Sequence, residues 1–92
     1  MNDNIYKTQE IRLINRESLS LSGIKKIENF DNAEFLLDSV MGKILIKGVN
    51  LEVTMLDVDK GDVRIKGRIN SILYVNSKKE NHETIFTKLF KW

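Results

Sequence analysis

The stretch Glu34 to Val75 reads EFLLDSVMGKILIKGVNLEVTMLDVDKGDVRIKGRINSILYV. Apolar and polar residues alternate through most of it, and glycines interrupt the alternation. A period of two puts successive side chains on opposite faces of a strand, so the stretch predicts short antiparallel strands joined by tight turns. In KILIKG, Ile44 and Ile46 point one way and Leu45 and Lys47 the other, and Gly48 is expected to end the strand. Leu51, Val53 and Met55 make the next apolar face against Glu52 and Thr54. The period slips at Leu56-Asp57-Val58, where a β-bulge would return Val58 to the core side. Asp59-Lys60-Gly61-Asp62 is a hairpin turn with glycine supplying positive φ. Val63 and Ile65 follow, Gly67 is expected to turn the chain again, and Ile69, Ile72 and Tyr74 carry the last strand.

Residues 34–40 fit two patterns. Ala33, Leu36, Leu37 and Val40 would make a helical stripe capped by Asp31 or Asn32. A strand with Leu36 and Val40 on one face and Phe35, Leu37 and Ser39 on the other is preferred, because it runs through Met41-Gly42 into KILIKG as one hairpin. Upstream, residues 9–14 and 18–22 read as two strands around an Asn15-Arg16 turn. IKKIENF reads as a strand with an irregularity, closed by the turn Phe30-Asp31-Asn32-Ala33, where Asp and Asn can bond the local backbone. Leu45-Ile46-Lys47-Gly48 recurs as Arg64-Ile65-Lys66-Gly67, with Leu21-Ser22-Gly23 as a fainter echo. Repeats of this length can mark a β-solenoid, but unequal spacing favours successive hairpins of a meander.

The expected architecture is therefore all-β. It is a small antiparallel sandwich of seven or eight short strands with meander connections, preceded by a polar leader (1–9) and occupying residues 10–75. Its expected core is Leu13, Leu21, Ile27, Leu36, Ile44, Ile46, Leu51, Val53, Val63, Ile65, Ile69 and Ile72. Residues 76–84 are a charged linker. In the ending, Ile85, Phe86, Leu89 and Phe90 fall on one side of a short amphipathic helix over 85–92, with Lys88, Lys91 and Trp92 beside them. These seven residues are the candidate docking site, for a partner protein or a membrane surface. The competing reading is a small helix that packs on an open end of the β-domain.

Composition narrows the function classes. Ninety-two residues make one domain, 41% hydrophobic and 30% charged. No apolar run approaches the roughly 20 residues of a membrane span. The start, MNDNIYKTQE, lacks a signal peptide's basic and apolar regions, so a cytosolic location is expected. There are no cysteines, which excludes disulfides and thiolate chemistry. A net charge of +2 with interspersed acids and bases does not by itself imply nucleic acid.

The candidate chemistry is sparse. His82, the sole histidine, stands in the charged linker, and a solvated loop histidine is the simpler reading than one member of a dispersed hydrolase site. Asp57, Asp59 and Asp62 lack the length and terminal glutamate of a calcium loop and read as turn carboxylates. Gly42, Gly48, Gly61 and Gly67 match no phosphate-cradling pattern. Lys25, Lys26, Lys43, Lys47, Lys60, Arg64, Lys66 and Arg68 are accompanied by acids and not interleaved with aromatics, as a solvated strand surface would be. No catalytic, cofactor or metal residue is assigned. A ligand- or nucleic-acid-binding β-module is the alternative function, and it requires a basic or aromatic groove.

One resemblance spans most of the chain. The ordered motifs Asn15-Arg16, Leu19-Ser20-Leu21-Ser22-Gly23-Ile24, Ile27-Glu28-Asn29-Phe30-Asp31, Glu34-Phe35-Leu36-Leu37, Val40-Met41-Gly42, Ile46-Lys47-Gly48, Leu56-Asp57-Val58-Asp59-Lys60-Gly61, Ile65-Lys66-Gly67 and Tyr74 resemble the YabP sporulation proteins of endospore-forming Firmicutes, with the YqfC group a looser match. The ending Phe86-Thr87-Lys88-Leu89-Phe90-Lys91 is also similar. The resemblance implies a β-sandwich-like fold and a non-enzymatic role in spore formation, as an adaptor or scaffold in envelope, coat or cortex assembly. It implies a protein partner, with a membrane protein of the YabQ type a natural one, and a mother-cell location at the forespore surface. Homo-oligomers through strand edges and peripheral membrane contact through the tail are further expectations, and nucleic acid is not expected.

Overall fold

The two echoes Leu45-Ile46-Lys47-Gly48 and Arg64-Ile65-Lys66-Gly67 run into the same structural element from opposite sides. In the computed structural model, which describes residues 8–76, neither glycine ends a strand. Six strands are present: β1 (Ile11–Ile14), β2 (Ser18–Leu21), β3 (Ile24–Phe30), β4 (Glu34–Ser39), β5 (Gly42–Asp57) and β6 (Asp62–Val75). β5 continues through Gly48 and β6 through Gly67, so that they reach 16 and 14 residues. The pairing is disturbed there, with register shifts between Lys47 and Gly48 and between Val49 and Glu52.

Glycine is required at this corner because two backbones nearly touch. A Cβ at Gly48 would lie 2.0 Å from the carbonyl oxygen of Arg68, and one at Gly67 would lie 2.5 Å from that of Asn50. Gly67 has φ +132 and Asn50 has φ 54, in the region that glycine and asparagine tolerate best. The expectation that both glycines were inter-strand turns is corrected accordingly. Seven or eight short strands become six, two of them long.

All strands are antiparallel in one sheet, in the order β1-β2-β6-β5-β4-β3, where a sandwich of two sheets was expected. The meander holds from β3 to β6, and β1 and β2 form a hairpin that joins the far side through β6. The corner divides this sheet into two half-sheets. β4 pairs only with residues 42–47 of β5, whereas β2 pairs only with residues 63–66 of β6. Both outer hairpins plug their turns into the corner. Gly67 and Ile69 donate backbone bonds to Glu17 and Arg16, while Gly48 and Leu51 donate to Ala33 and Asn32. Ile24 N–H donates to the Gly61 carbonyl at 3.0 Å, tying the start of β3 to the β5–β6 turn.

The apolar faces of the two half-sheets meet in one cluster. Leu19, Leu21, Leu51, Val63 and Ile65 come from one half and Phe35, Leu37, Ile44, Ile46 and Ile69 from the other, together with Ile24. Ile11, Ile27, Val53 and Ile72 pack against it. Two expected core residues are placed elsewhere. Leu13 is 39% exposed on the edge strand β1. Leu36 lies on the opposite face of β4, because Phe35 pairs with Ile46 and Leu37 with Ile44, which points those two inward. The bulge sought at Leu56-Asp57-Val58 lies instead between Val53 and Met55, and Val58 is exposed in the turn rather than returned to the core.

The local readings that depend on turn chemistry hold. Asn15 and Arg16, the central residues of the tight turn between β1 and β2, both have positive φ, and Glu17 N–H donates to the Ile14 carbonyl at 3.0 Å. Asp31 Oδ1 accepts from the amides of Ala33 and Glu34 at 2.8 and 2.9 Å. Asp57 Oδ1 accepts from Lys60 N–H at 3.2 Å, so this carboxylate serves the turn. Ser39, the buried polar residue, donates to the Gly42 carbonyl and accepts from Met41 N–H. Residues 34–39 are a strand, and β3 carries two register shifts, as its irregular spacing foretold. The leader before residue 8, the expected linker after Asn76 and the expected helix over 85–92 lie outside the described residues.

Two stability predictions follow from the corner and the β4 register. Gly48→Ala should lower unfolding free energy by about 3 kcal/mol or more, since backbone must move. Gly42→Ala, with φ +120 but open space around it, should cost only conformational strain, about 1–2 kcal/mol. Equal costs in urea denaturation would contradict the close approach at Gly48. Likewise Leu37→Ala should cost about 2–5 kcal/mol. Leu36→Ala, half-buried on the other face, should cost about 1 kcal/mol.

Candidate interaction surface

β4, β5 and β6 each contain a run of three apolar residues, Phe35-Leu36-Leu37, Ile44-Leu45-Ile46 and Ile72-Leu73-Tyr74. Alternation puts the outer two of each triplet on one face and the middle residue on the other, and the pairing of Phe35 with Ile46 and of Leu37 with Ile44 in the core turns the middles outward. The register aligns the three middles: Leu36 pairs with Leu45 and Leu45 with Leu73. They form a continuous apolar row across the back of the half-sheet, and Val75 extends it one step along β6. Glu34, Lys47 and Ser71 flank the row on one side, and Asp38 and Lys43 flank it on the other, with Val75 in line.

Exposure across this face is uneven. Leu73 is 41% exposed and Leu36 is half-buried, yet Leu45 retains only 5% and Val75 only 7% of their accessible surface. Neither Leu45 nor Val75 belongs to the core cluster. Glu28 of β3 forms an ion pair with Lys43 at the rim. The Lys43 hydrogen bond holds the Glu28 carboxyl below its ordinary pKa, and the same bond raises that of the Lys43 ammonium. Both groups are solvated, so the pair adds little to stability.

The sheet has two edges of different character. β3 is broken by two register shifts and carries Lys25, Lys26 and Glu28, which discourages pairing with another strand. β1 is a regular four-residue edge, with Leu13 and Ile14 at 39% and 52% exposure. The outer face of the other half-sheet is polar. A groove of about 490 Å³ at the corner is lined by Arg16, Lys66 and Arg68 together with Glu17 and Glu52. Arg16 is engaged by the Ile69 carbonyl at 3.0 Å and Asn70 Oδ1 at 2.8 Å. Mixed charge and the lack of aromatic lining give the ligand or nucleic-acid reading no stacking platform there.

All seven candidate docking residues, Ile85, Phe86, Lys88, Leu89, Phe90, Lys91 and Trp92, lie outside the described residues, as does His82. The apolar outer row was missed by a reading that assigned Leu36 to the core. The available signal was the three triplets, because uninterrupted apolar runs mark strands covered on both faces. Among the described residues no cluster of three metal-ligating side chains occurs, and no helix is long and apolar enough to cross a membrane.

The described residues thus define a class: a small, bent antiparallel β-sheet protein with one closed core and one apolar row on its outer surface. The YabP family model matches residues 6–81, and the chain belongs to that family. It is 40% identical over 88 residues to "Spore protein YabP" of Bacillus subtilis (strain 168), covering 95% of this chain and 88% of that protein.

The rim pair predicts a specific pH response. Glu28, with its pKa lowered, contributes stability above the ordinary carboxylate range and loses it as pH falls through the lowered value. Lys43, with its pKa raised, contributes below the ordinary ammonium range and loses it as pH rises through the raised value. The difference in urea midpoint between the wild type and Glu28→Gln should therefore be small and flat between about pH 5 and about pH 9, and should vanish at either extreme. A large difference at neutral pH would mean that Glu28 has a structural role beyond this pair.

Proposed function

We propose that the chain is a non-enzymatic sporulation protein that acts as an adaptor or scaffold in assembly of the spore envelope, in its coat or cortex layers. The name of the Bacillus subtilis relative supports the sporulation setting. The observation that carries the adaptor reading is the apolar row Leu36-Leu45-Leu73 on the outside of a sheet whose core is already complete without it. Within the row Leu73, 41% exposed, offers apolar contact to another protein.

In this reading the two half-sheets serve as the two layers of a sandwich-like body, and residues 85–92 form a short amphipathic helix that gives a second contact element. The partner is a protein, with a membrane protein of the YabQ type the natural choice. The chain works on the cytoplasmic side, in the mother cell at the forespore surface, and peripheral membrane contact runs through the tail. The regular edge β1 allows a homo-oligomer by strand addition.

The reading is tested by affinity capture from sporulating cells with three baits: the full chain, a chain ending at Asn76, and Leu73→Lys. An envelope or membrane protein captured by the full chain, and lost with either change, is the expected result. Equal capture by all three baits would move recognition to another surface. No specific capture by any bait would sink the adaptor reading.

A further inference from the structure

We infer that β1 pairs antiparallel with β1 of a second copy, about a two-fold axis at Ile11 that sets Glu10 of each chain opposite Arg12 of the other. This rests on the reading of β1 as an edge open to strand addition, and names the occupant and the register. The hydrogen-bond phase of the β1–β2 hairpin decides which groups such a contact can use. Ser22 N–H donates to the Glu10 carbonyl at 3.0 Å, and Glu17 N–H donates to that of Ile14. Successive residues of an antiparallel strand turn their backbone groups to opposite edges, so Glu10, Arg12 and Ile14 bond towards β2. The amides and carbonyls of Ile11 and Leu13 point the other way, along the edge that no other described strand covers.

Only residues whose backbone groups face the edge can exchange bonds across it, which leaves symmetric registers centred on Glu10, Ile11, Arg12 or Leu13. Charge separates them. Centred on Glu10 or on Arg12, two like charges stand directly opposite, which is destabilising. Centred on Leu13, Ile11 meets Asn15, which has φ 54 and belongs to the turn. In that register Glu10 meets Arg16, whose guanidinium is already held by the Ile69 carbonyl and Asn70 Oδ1. Centred on Ile11, Glu10 meets Arg12 twice, in the closely spaced pairs that exchange no backbone bonds and bring side chains nearest.

Both charged groups are available for this. Glu10 and Arg12 line the same shallow depression as Ser20 and Arg64, on the outer face of the half-sheet. Among the described residues neither the Glu10 carboxylate nor the Arg12 guanidinium has a salt-bridge partner. Arg12 pairs with Ser20 and Ser20 with Arg64, so two cations flank one hydroxyl across three strands. Glu10 of the second copy extends that row with a negative charge. The other edge, β3, is broken by register shifts and offers no such ladder. A four-residue strand buries well below the roughly 1,200 Å² of a stable interface, so the dimer is weak, with a dissociation constant in the hundreds of micromolar.

Sedimentation equilibrium of the full chain, from micromolar to millimolar concentration, tests the pairing. The wild type should pass from monomer to dimer. Glu10→Arg alone and Arg12→Glu alone should each weaken dimerisation by about tenfold or more, because each sets two like-charged pairs across the axis. Mixed in equal amounts, the two variants are complementary and should form a heterodimer as tight as the wild-type dimer. Glu10 meets Ser22 through its backbone N–H and carbonyl, so both variants should keep the β-sheet circular dichroism. A wild type that stays monomeric at millimolar concentration overturns the inference. So does a dimer that both variants leave intact, or one that their mixture fails to restore. Loss of the dimer in Leu73→Lys but not in the charge variants also overturns it, and would place self-association on the outer apolar row. A monomer would leave capture of an envelope protein untouched, and failed capture would leave the dimer untouched, so the two readings fail separately.

Discussion

Everything in this fold depends on the near contact of two backbones at Gly48 and Gly67. A pair of strands as long as β5 and β6 would otherwise make a twisted ribbon with one side open to water. The Arg68 carbonyl lies 2.0 Å from where a Cβ would stand on Gly48, the Asn50 carbonyl is close to Gly67, and apolar residues from both sides of this point share one buried cluster. The outer hairpins are then positioned by the corner itself. The carbonyls of Glu17, Arg16, Ala33 and Asn32 accept bonds from the residues that form it. The core takes Phe35 and Leu37 from one side of the corner and Leu19 and Ile65 from the other.

The bend also separates two kinds of surface. Residues such as Arg64, Lys66 and Glu52 leave the outside of one half-sheet polar, as an antiparallel sheet with one solvated face requires. The outside of the other half-sheet carries leucines where polar residues would alternate. A sequence that keeps lysine and glutamate on β3, and breaks that strand's register twice, is protecting an edge from unwanted pairing. The apolar row lies on the same half-sheet as that guarded edge.

The amino-acid sequence disclosed the strands and their turns because these rest on nearest-neighbour chemistry. Asn15-Arg16, Asp31-Asn32 and Asp59-Lys60-Gly61 each make their turn through side chains and φ angles that belong to the turn itself. It did not disclose the corner, because glycine at a turn and glycine at a close backbone approach look alike until the partner backbone is known. Gly48 needs glycine because of Arg68, and Gly67 because of Asn50. The face of β4 was misjudged for a related reason: Phe35, Leu36 and Leu37 are all apolar, and only pairing with Ile44 and Ile46 decides which of them turn inward. The family was legible because its motifs mark these same turns and corners in a fixed order.

The sheet order has a consequence for how the chain reaches this state. β3, β4, β5 and β6 pair with their neighbours in sequence and can zip together by short loop closures. β2 must find β6 across more than half of the described chain, Leu19 against Ile65, which is entropically the costliest pairing in the fold. The β1–β2 hairpin is therefore the element whose docking carries the largest loop-closure cost. Its departure would bare one side of Val63 and Ile65 while the four-stranded remainder kept its pairing. Ser22 and Gly23, which join the β1–β2 hairpin to β3, are the hinge on which that exchange would turn, and a hairpin released there could dock on a neighbouring molecule as well as on its own.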